Sequence, residues 1–281
     1  METRKRVLGE EHPDTLNSMA NLASTFSDQG RWKEAEELEV QVMETSLRVL
    51  GEEHPSTLTS MANLASTYSK QGRWKEAEEL RTKDFRICSR VLGKEHPDTL
   101  TSMGNLASTY RKQGRWKEAE ELFVRVMETR KRVLGEEHPD TLISIDNLAS
   151  TYRNQGRWGE AEELQSQLIE TGRRVLGEEH PSTLTSMANL ASTYSDQGRW
   201  KEAEELERVL GEEHPSTLTS MYNLANTWKS QNRWKDAIQL LQDCVRLRGN
   251  VLGMDHPHTI LAVSALSGWK REFGGTSHEL P

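Results

Sequence analysis

The sequence predicts an all-α solenoid built from antiparallel helix pairs. Three observations carry that prediction. The dipeptide His-Pro recurs at His12, His54, His96, His138, His180, His214 and His256, at intervals of 42, 42, 42, 42, 34 and 42 residues. Tryptophan keeps the same beat at Trp32, Trp74, Trp116, Trp158, Trp200 and Trp234. Within a unit, Leu16, Met19, Leu22, Ala23 and Phe26 recur at spacings of three and four, the period of one helix face. No single helix buries such a face, so neighbouring units must stack.

The first helix of each unit opens at the proline. Pro13 donates no hydrogen bond and its φ is already helical, which suits the first helical position. The histidine before it then falls at the N-cap. Gln29-Gly30 closes the helix, because glycine accepts positive φ just past a helix end. In the second helix Trp32, Ala35, Leu38 and Val42 continue a stripe until Gly51 stops it. The six tryptophans lie on this stripe and are expected between helices in the core.

The expected pairs cover about 13–51, 55–93, 97–135, 139–177, 181–211 and 215–253. The first sixteen residues, METRKRVLGEEHPDTL, recur unchanged at 127–142, so residues 1–9 read as the second half of a second helix. On that reading the chain begins inside a longer parent. At the other end, Ile260, Val263 and Leu266 keep the stripe over 257–273, where a capping helix is expected, and 274–281 is expected to be a disordered tail.

One unit is short. KEAEELERVLGEEHP at 201–215 matches KEAEELEVQVMETSLRVLGEEHP at 33–55 but lacks eight residues between Glu207 and Arg208. Eight residues are ~12 Å of helix. Counting from the tryptophan, Leu210 takes the place of Val42, so the stripe is unbroken before Gly211. The expectation is a shortened second helix with a local notch and altered curvature, both neighbouring pairs still stacked.

Composition agrees with a thin, elongated molecule. Apolar residues are 34% of the 281, charged residues 28%, and the mean hydropathy is −0.77. A net charge of −8 argues against a nucleic-acid or anionic-membrane surface, since both need a basic face. No run approaches ~18 apolar residues, and the start has no apolar signal region. Two cysteines, Cys88 and Cys244, form no disulfide framework and suit a reducing compartment. A cytoplasmic protein is the expectation.

Period alone leaves several helical arrays open. The residues narrow the choice. NLASTY at 63–68, followed by Gly72, Trp74 and Ala77, resembles the tetratricopeptide repeat (TPR) pattern of Leu, small residue, aromatic, Gly, aromatic and Ala. The likeness runs from about residue 12 to 273 in six copies. The 42-residue form with L-G-x-x-H-P between units resembles the kinesin light chain subtype. It resembles still more the near-identical TPR arrays of NB-ARC or NACHT receptors, especially fungal ones. The resemblance implies a right-handed superhelical solenoid of six A/B pairs plus the N-terminal half helix and the capping helix. One departure stands out. The family's aromatic four residues after the Ala appears only as Phe123, and the position otherwise reads Glu39, Arg81, Gln165, Glu207 or Leu241.

No catalytic or metal chemistry is legible. Seven histidines at repeat spacing fall along one edge roughly 10 Å apart, too far to share an ion bound at about 2 Å. His256-Pro-His258 is closer but has no second ligand cluster. The glutamates of EAEEL lie on the outer face of the second helix, where solvation is expected. There is no phosphate loop, nucleophile elbow or Cys/His pairing. The reading is a non-enzyme with no cofactor and no metal.

Binding is expected on the first helices, which line the concave face in the family. One Asn per repeat falls there: Asn21, Asn63, Asn105, Asn147, Asn189 and Asn223. A carboxamide both donates and accepts, which suits gripping an extended peptide backbone; bonding a neighbouring helix to hold repeat register is the other reading. Residues 48–80 and 174–206 differ only at Lys70 against Asp196. Nearby groove positions also vary, as in Ala20, Ala62, Gly104, Asp146, Ala188 and Tyr222. Neutral drift at exposed sites is one account; specificity written on a constant frame is the other. On the second, Lys70, Arg111, Lys112 and Arg153 form a basic stretch for an acidic peptide, and Lys229 extends the set. The chaperone-type carboxylate clamp is not reproduced, its basic and second Asn positions being Ala and Ser in most repeats. Three functions follow. The first is the ligand-sensing array of an NB-ARC/NACHT-type receptor. The second is a kinesin-light-chain-like cargo adaptor. The third is a module that self-associates through the half helix at 1–8, where Val7 and Leu8 need a partner.

Overall fold

The computed structural model describes residues 2–210, 215–230 and 232–276. Every regular element among them is a helix. In chain order these are α1 (Glu2–Leu8), α2 (Pro13–Asp28), α3 (Trp32–Leu50), α4 (Pro55–Lys70), α5 (Trp74–Val91), α6 (Pro97–Lys112), α7 (Trp116–Leu134), α8 (Pro139–Asn154), α9 (Trp158–Val175), α10 (Pro181–Asp196), α11 (Trp200–Leu210), α12 (Pro215–Ser230), α13 (Trp234–Leu252) and α14 (Pro257–Thr276). Consecutive helices pack on one another within each of two compact units, 1–154 and 155–281. The capping helix α14 runs to Thr276, three residues into the tail expected at 274–281, and the rest of that tail lies outside the described residues.

The caps explain the boundaries. Nδ1 of His12, His54, His96, His138, His180 and His256 accepts the backbone N–H two residues on, at 3.1–3.3 Å. An imidazole thus does the work usually given to Ser or Asp at an N-cap. At the other end Gly30 adopts φ 74° and the Arg31 N–H donates to the Phe26 carbonyl at 2.8 Å, a Schellman closure. Repeat six replaces this glycine with Asn232, the one described non-glycine residue at positive φ (61°). Asparagine tolerates that region better than other L residues.

The two helices of a pair cross at alanine. Ala23 and Ala35 are fully buried, as are Ala65 with Ala77 and Ala107 with Ala119. A methyl group at the crossing lets the backbones approach closely. Above it, Leu16 and Met19 meet Val42 in the first pair, and Leu100 and Met103 meet Val126 in the third. In the second unit Ile169, Met187 and Leu190 form one core, and Leu241, Ala262 and Trp269 form another beneath α14.

The expectation of core tryptophans is corrected for three of the six: Trp74, Trp200 and Trp234 are half-buried, Trp234 against the core of Leu241, Ala262 and Trp269, but the others are not. Trp32, Trp116 and Trp158 are 39–41% exposed. Each is the first residue of its helix, where the chain has just left the turn, so the indole stands at the helix edge. The shortened unit behaves as its length requires. Helix α11 has 11 residues against 19 in α3, α7 and α13. Helix α12 accordingly rests on α10 and meets α11 only at the margin, whereas α4 packs along the length of α3. The stop assigned to Gly211 lies outside the described residues, as does the Leu210 side chain.

Candidate functional site

The A helices carry the candidate residues. Asn21, Asn63 and Asn105 stand exposed at equivalent places on α2, α4 and α6, and Asn147 is half-buried on α8. Their backbones are committed to the scaffold: the hydroxyls of Thr25, Thr109 and Thr151 donate to the carbonyls of Asn21, Asn105 and Asn147 at 2.8–3.1 Å. The same bond runs from Thr193 to Asn189 on α10. Asn223 is exposed on α12.

The basic candidates have different surroundings. Lys70 reaches back to the preceding A helix and donates to Ser27 Oγ at 2.7 Å. Arg111 is half-buried at the end of α6, and its Nε is enclosed without a hydrogen-bond partner. Burial lowers its proton affinity, Asp146 on α8 raises it, and Arg153 lowers it again. The structure therefore brings together Arg111, Asp146 and Arg153, two of the basic candidates and one of the variable groove positions. Lys112 is exposed beside them. Lys229 sits elsewhere: it pairs with Glu272 at 2.8 Å and lies 5.0 and 5.2 Å from the rings of Trp234 and Trp269. It fastens the capping helix.

Two recurrent features escape the sequence reading. The first is an arginine ladder on the edge opposite the histidines. Arg73 donates to Glu36 of the preceding repeat at 2.7 Å and to Glu76 of its own at 2.8 Å, and lies 4.1 Å over the ring of Tyr68. Gln71 donates to the same Glu36 at 2.8 Å. Arg115 repeats this with Glu78, Glu118 and Tyr110, and Arg199 with Glu162, Glu202 and Tyr194. These glutamates are thus paired rather than merely solvated. Hydrogen bonds from its arginine and glutamine, with burial opposing, hold the Glu36 carboxyl below its ordinary range. The spacing Arg-x-x-Glu was a visible signal for the half of the ladder within a repeat; the other half joins residues 37 apart.

The second feature is the buried bonding of the residues that replace the family's aromatic, a replacement visible in the sequence although its partners were not. Glu39, Gln165 and Leu241 are buried there like Phe123. The polar versions reach a threonine of the next A helix. Arg81 donates to Thr109 and to the Asn105 carbonyl, and the Thr193 hydroxyl donates to Gln165 at 2.8 Å. Glu39 bonds Thr67, and burial pushes its carboxyl up. Three residues on, Asp84 replaces valine and accepts from Ser102 and from the Cys88 thiol, 3.6 Å away. Burial beside Asp84 pushes that thiol up to about 12, so Cys88 is inert.

Among the described residues no group of three His, Cys, Asp or Glu is placed to hold a metal ion, and no helix is long and apolar enough to cross a membrane.

Comparison with known proteins agrees with the geometry. One tetratricopeptide repeat family model matches residues 15–56, 57–98, 99–140 and 217–258, and a second matches 141–208. No curated protein sequence matches the chain. A solved structure from Podosopora anserina, named as a kinesin light chain with nearly identical TPR-like repeats, is 38% identical. It has a TM-score of 0.62, with 70% of this chain and 94% of that one covered. BtubC (BKLC) from P. vanneervenii is 20% identical, with a TM-score of 0.60 and coverage of 74% and 84%. A Rap protein complexed with Competence and Sporulation Factor is 12% identical, with a TM-score of 0.57 and coverage of 96% and 83%. The last two likenesses are of fold alone.

Proposed function

This chain belongs to the tetratricopeptide repeat family, a family of protein-interaction scaffolds, and from that premise we propose that it binds an extended acidic peptide along its A helices. The observation that carries the proposal is the convergence of Arg111 and Arg153 beside exposed Lys112 on a face that also presents the asparagine row. Asp146 steadies the Arg111 guanidinium at the end of α6. The carboxamides of Asn21, Asn63 and Asn105 are exposed to grip peptide N–H and C=O groups. The function is non-catalytic and cytoplasmic, and it belongs to the ligand-sensing repeat region of a larger NB-ARC/NACHT-type receptor. Near-identical copies support that context, because unequal recombination of repeats produces them.

A fluorescent decapeptide rich in Glu tests the reading by anisotropy. Changing Lys70, Arg111, Lys112 and Arg153 together to Glu should abolish its binding, and added salt should weaken binding to the unaltered chain. Unchanged affinity in the variant, or equal affinity for a Lys-rich decapeptide, contradicts the reading.

A second reading, a kinesin-light-chain-like cargo adaptor, is favoured by the name of the 38%-identical relative. Coiled-coil heptads found in a longer parental sequence would favour it, and a nucleotide-binding domain found there would favour the receptor.

A further inference from the structure

One buried register position near the end of the B helix differs from join to join. It is Ser46 in α3, Cys88 in α5, Arg130 in α7, Gly172 in α9 and Arg248 in α13. Where it is arginine, the guanidinium spans two A helices. Arg130 donates to the Asp140 carbonyl at 3.1 Å and to Ser144 Oγ at 3.0 Å on α8, and to Thr101 Oγ1 at 3.1 Å on α6. Arg248 donates to the His258 carbonyl on α14 at 2.8 Å and to the Leu218 carbonyl on α12 at 3.0 Å. Arg4 of α1, at the same register, donates to Ser18 on α2. Two joins are closed by other means. Beside Cys88, Asp84 accepts from Ser102, the register equivalent of Ser144. At Gly172, Thr183 Oγ1 stands 2.8 Å from where a Cβ would lie, so no side chain has room there.

Ser46 leaves room. A cavity of 260 Å³ lies against it between α2, α3 and α4, below the ~300 Å³ at which pockets for drug-sized ligands begin. Leu16, Val42, Ser46 and Ser60, all buried, line its floor, and exposed Asn17 and Ser56 line its mouth. The polar residues among these are the register equivalents of the partners of Arg130: Ser56 of Asp140, Ser60 of Ser144 and Asn17 of Thr101. The Ser60 hydroxyl donates to the Thr57 carbonyl at 2.7 Å, which leaves its oxygen lone pairs to accept. Ser144 works in the same way, donating to the Asp140 carbonyl at 2.8 Å while it accepts from Arg130. The first join thus keeps an arginine's acceptors, with a serine where the arginine would be.

We infer that this cavity receives an arginine side chain from a partner polypeptide, entering from the A-helix face to the place that Arg130 fills in α7. Its guanidinium donates to the Ser56 carbonyl, to Ser60 Oγ and to the Asn17 carboxamide oxygen, and its methylenes lie on Leu16 and Val42. The acceptors stand on two helices, which suits the planar fork of a guanidinium and not the point charge of a lysine ammonium. The net charge of −8 favours the approach of a cation. The inference is independent of the acidic-peptide reading, whose Arg111 and Arg153 belong to the third and fourth repeats.

Amide NMR of the isotope-labelled chain, titrated with N-acetyl-arginine-N-methylamide, tests it. The blocked arginine should give saturable shifts centred on Asn17, Ser46, Ser56 and Ser60, and blocked lysine should bind at least about tenfold more weakly. Ser60→Ala removes one acceptor of a charged donor and should weaken blocked-arginine binding about tenfold. Ser46→Arg supplies the side chain from within, so it should abolish the shifts and leave the thermal midpoint no lower than that of the natural chain. Ser60→Ala adds no bulk and reads the site independently of that variant. An absence of saturable shifts at those residues, an equal response to blocked lysine, affinity unchanged in either variant, or a lowered midpoint in Ser46→Arg overturns the inference.

Discussion

The join between α7 and α8 and the join between α11 and α12 start from the same first half of a B helix and end differently. In α7 the helix runs on past Val126, the register equivalent of Leu210, so that Arg130 is buried and reaches the Asp140 carbonyl and Ser144 on α8. Helix α11 is described to Leu210, and α12 settles on α10. The pairing of α10 with α11 nonetheless persists, with Ala203 1% exposed. The first half of a B helix therefore builds its own pair, and the second half ties that pair to the next. Chemistry varies along the helix as well: the crossing residue is alanine, while the position four residues on carries Glu39, Arg81, Phe123, Gln165, Glu207 or Leu241.

The sharpest way to break the comparison is to empty a full-length join. Phe123 is 1% exposed, and Phe123→Ala should cost about 3–5 kcal/mol in denaturant unfolding. A loss below about 1 kcal/mol would mean that this half of the helix couples little. A smaller effect is expected where the join holds a carboxyl. Glu39 is 6% exposed, its Oε2 has no hydrogen-bond partner, and burial raises its pKa despite Thr67 and Lys70. A raised native pKa means that the unfolded state sheds this proton more readily. The carboxyl's contribution is therefore full below the unfolded value and is lost as pH rises through the native one. Glu39→Gln, the residue type repeat four uses as Gln165, should stabilise the chain by about 1–2 kcal/mol at neutral pH. The gain should shrink as acidification toward pH ~4 protonates wild-type Glu39. A gain that is constant with pH would contradict this account.

Much of this was legible in the sequence, and the remainder has a physical reason. Helix ends were written locally by His-Pro and Gly, whose effects act within a turn, and the short fifth B helix followed from the eight absent residues. Trp32, Trp116 and Trp158 stand more open than expected because helical period assigns a face but not a position along the axis, and the first residue of a helix sits at its edge. The buried polar join was hidden because Glu, Arg and Gln normally read as exposed. Here each finds a threonine on the next A helix, and all three of those threonines stand 28 residues on. At the candidate site, the face was readable from period. The company of Arg111 was not, since Asp146 and Arg153 lie on a different helix.

Restoring the missing half helix tests the coupling claim most directly. Inserting VQVMETSL, the residues of 40–47, between Glu207 and Arg208 recreates the full-length sequence in the fifth unit. Native-state hydrogen exchange then reads whether α12 is tied more firmly to the pair before it. The account predicts slower exchange across α12 and a higher denaturation midpoint than the natural chain. Unchanged or faster exchange in α12, with an unchanged or lower midpoint, would contradict it.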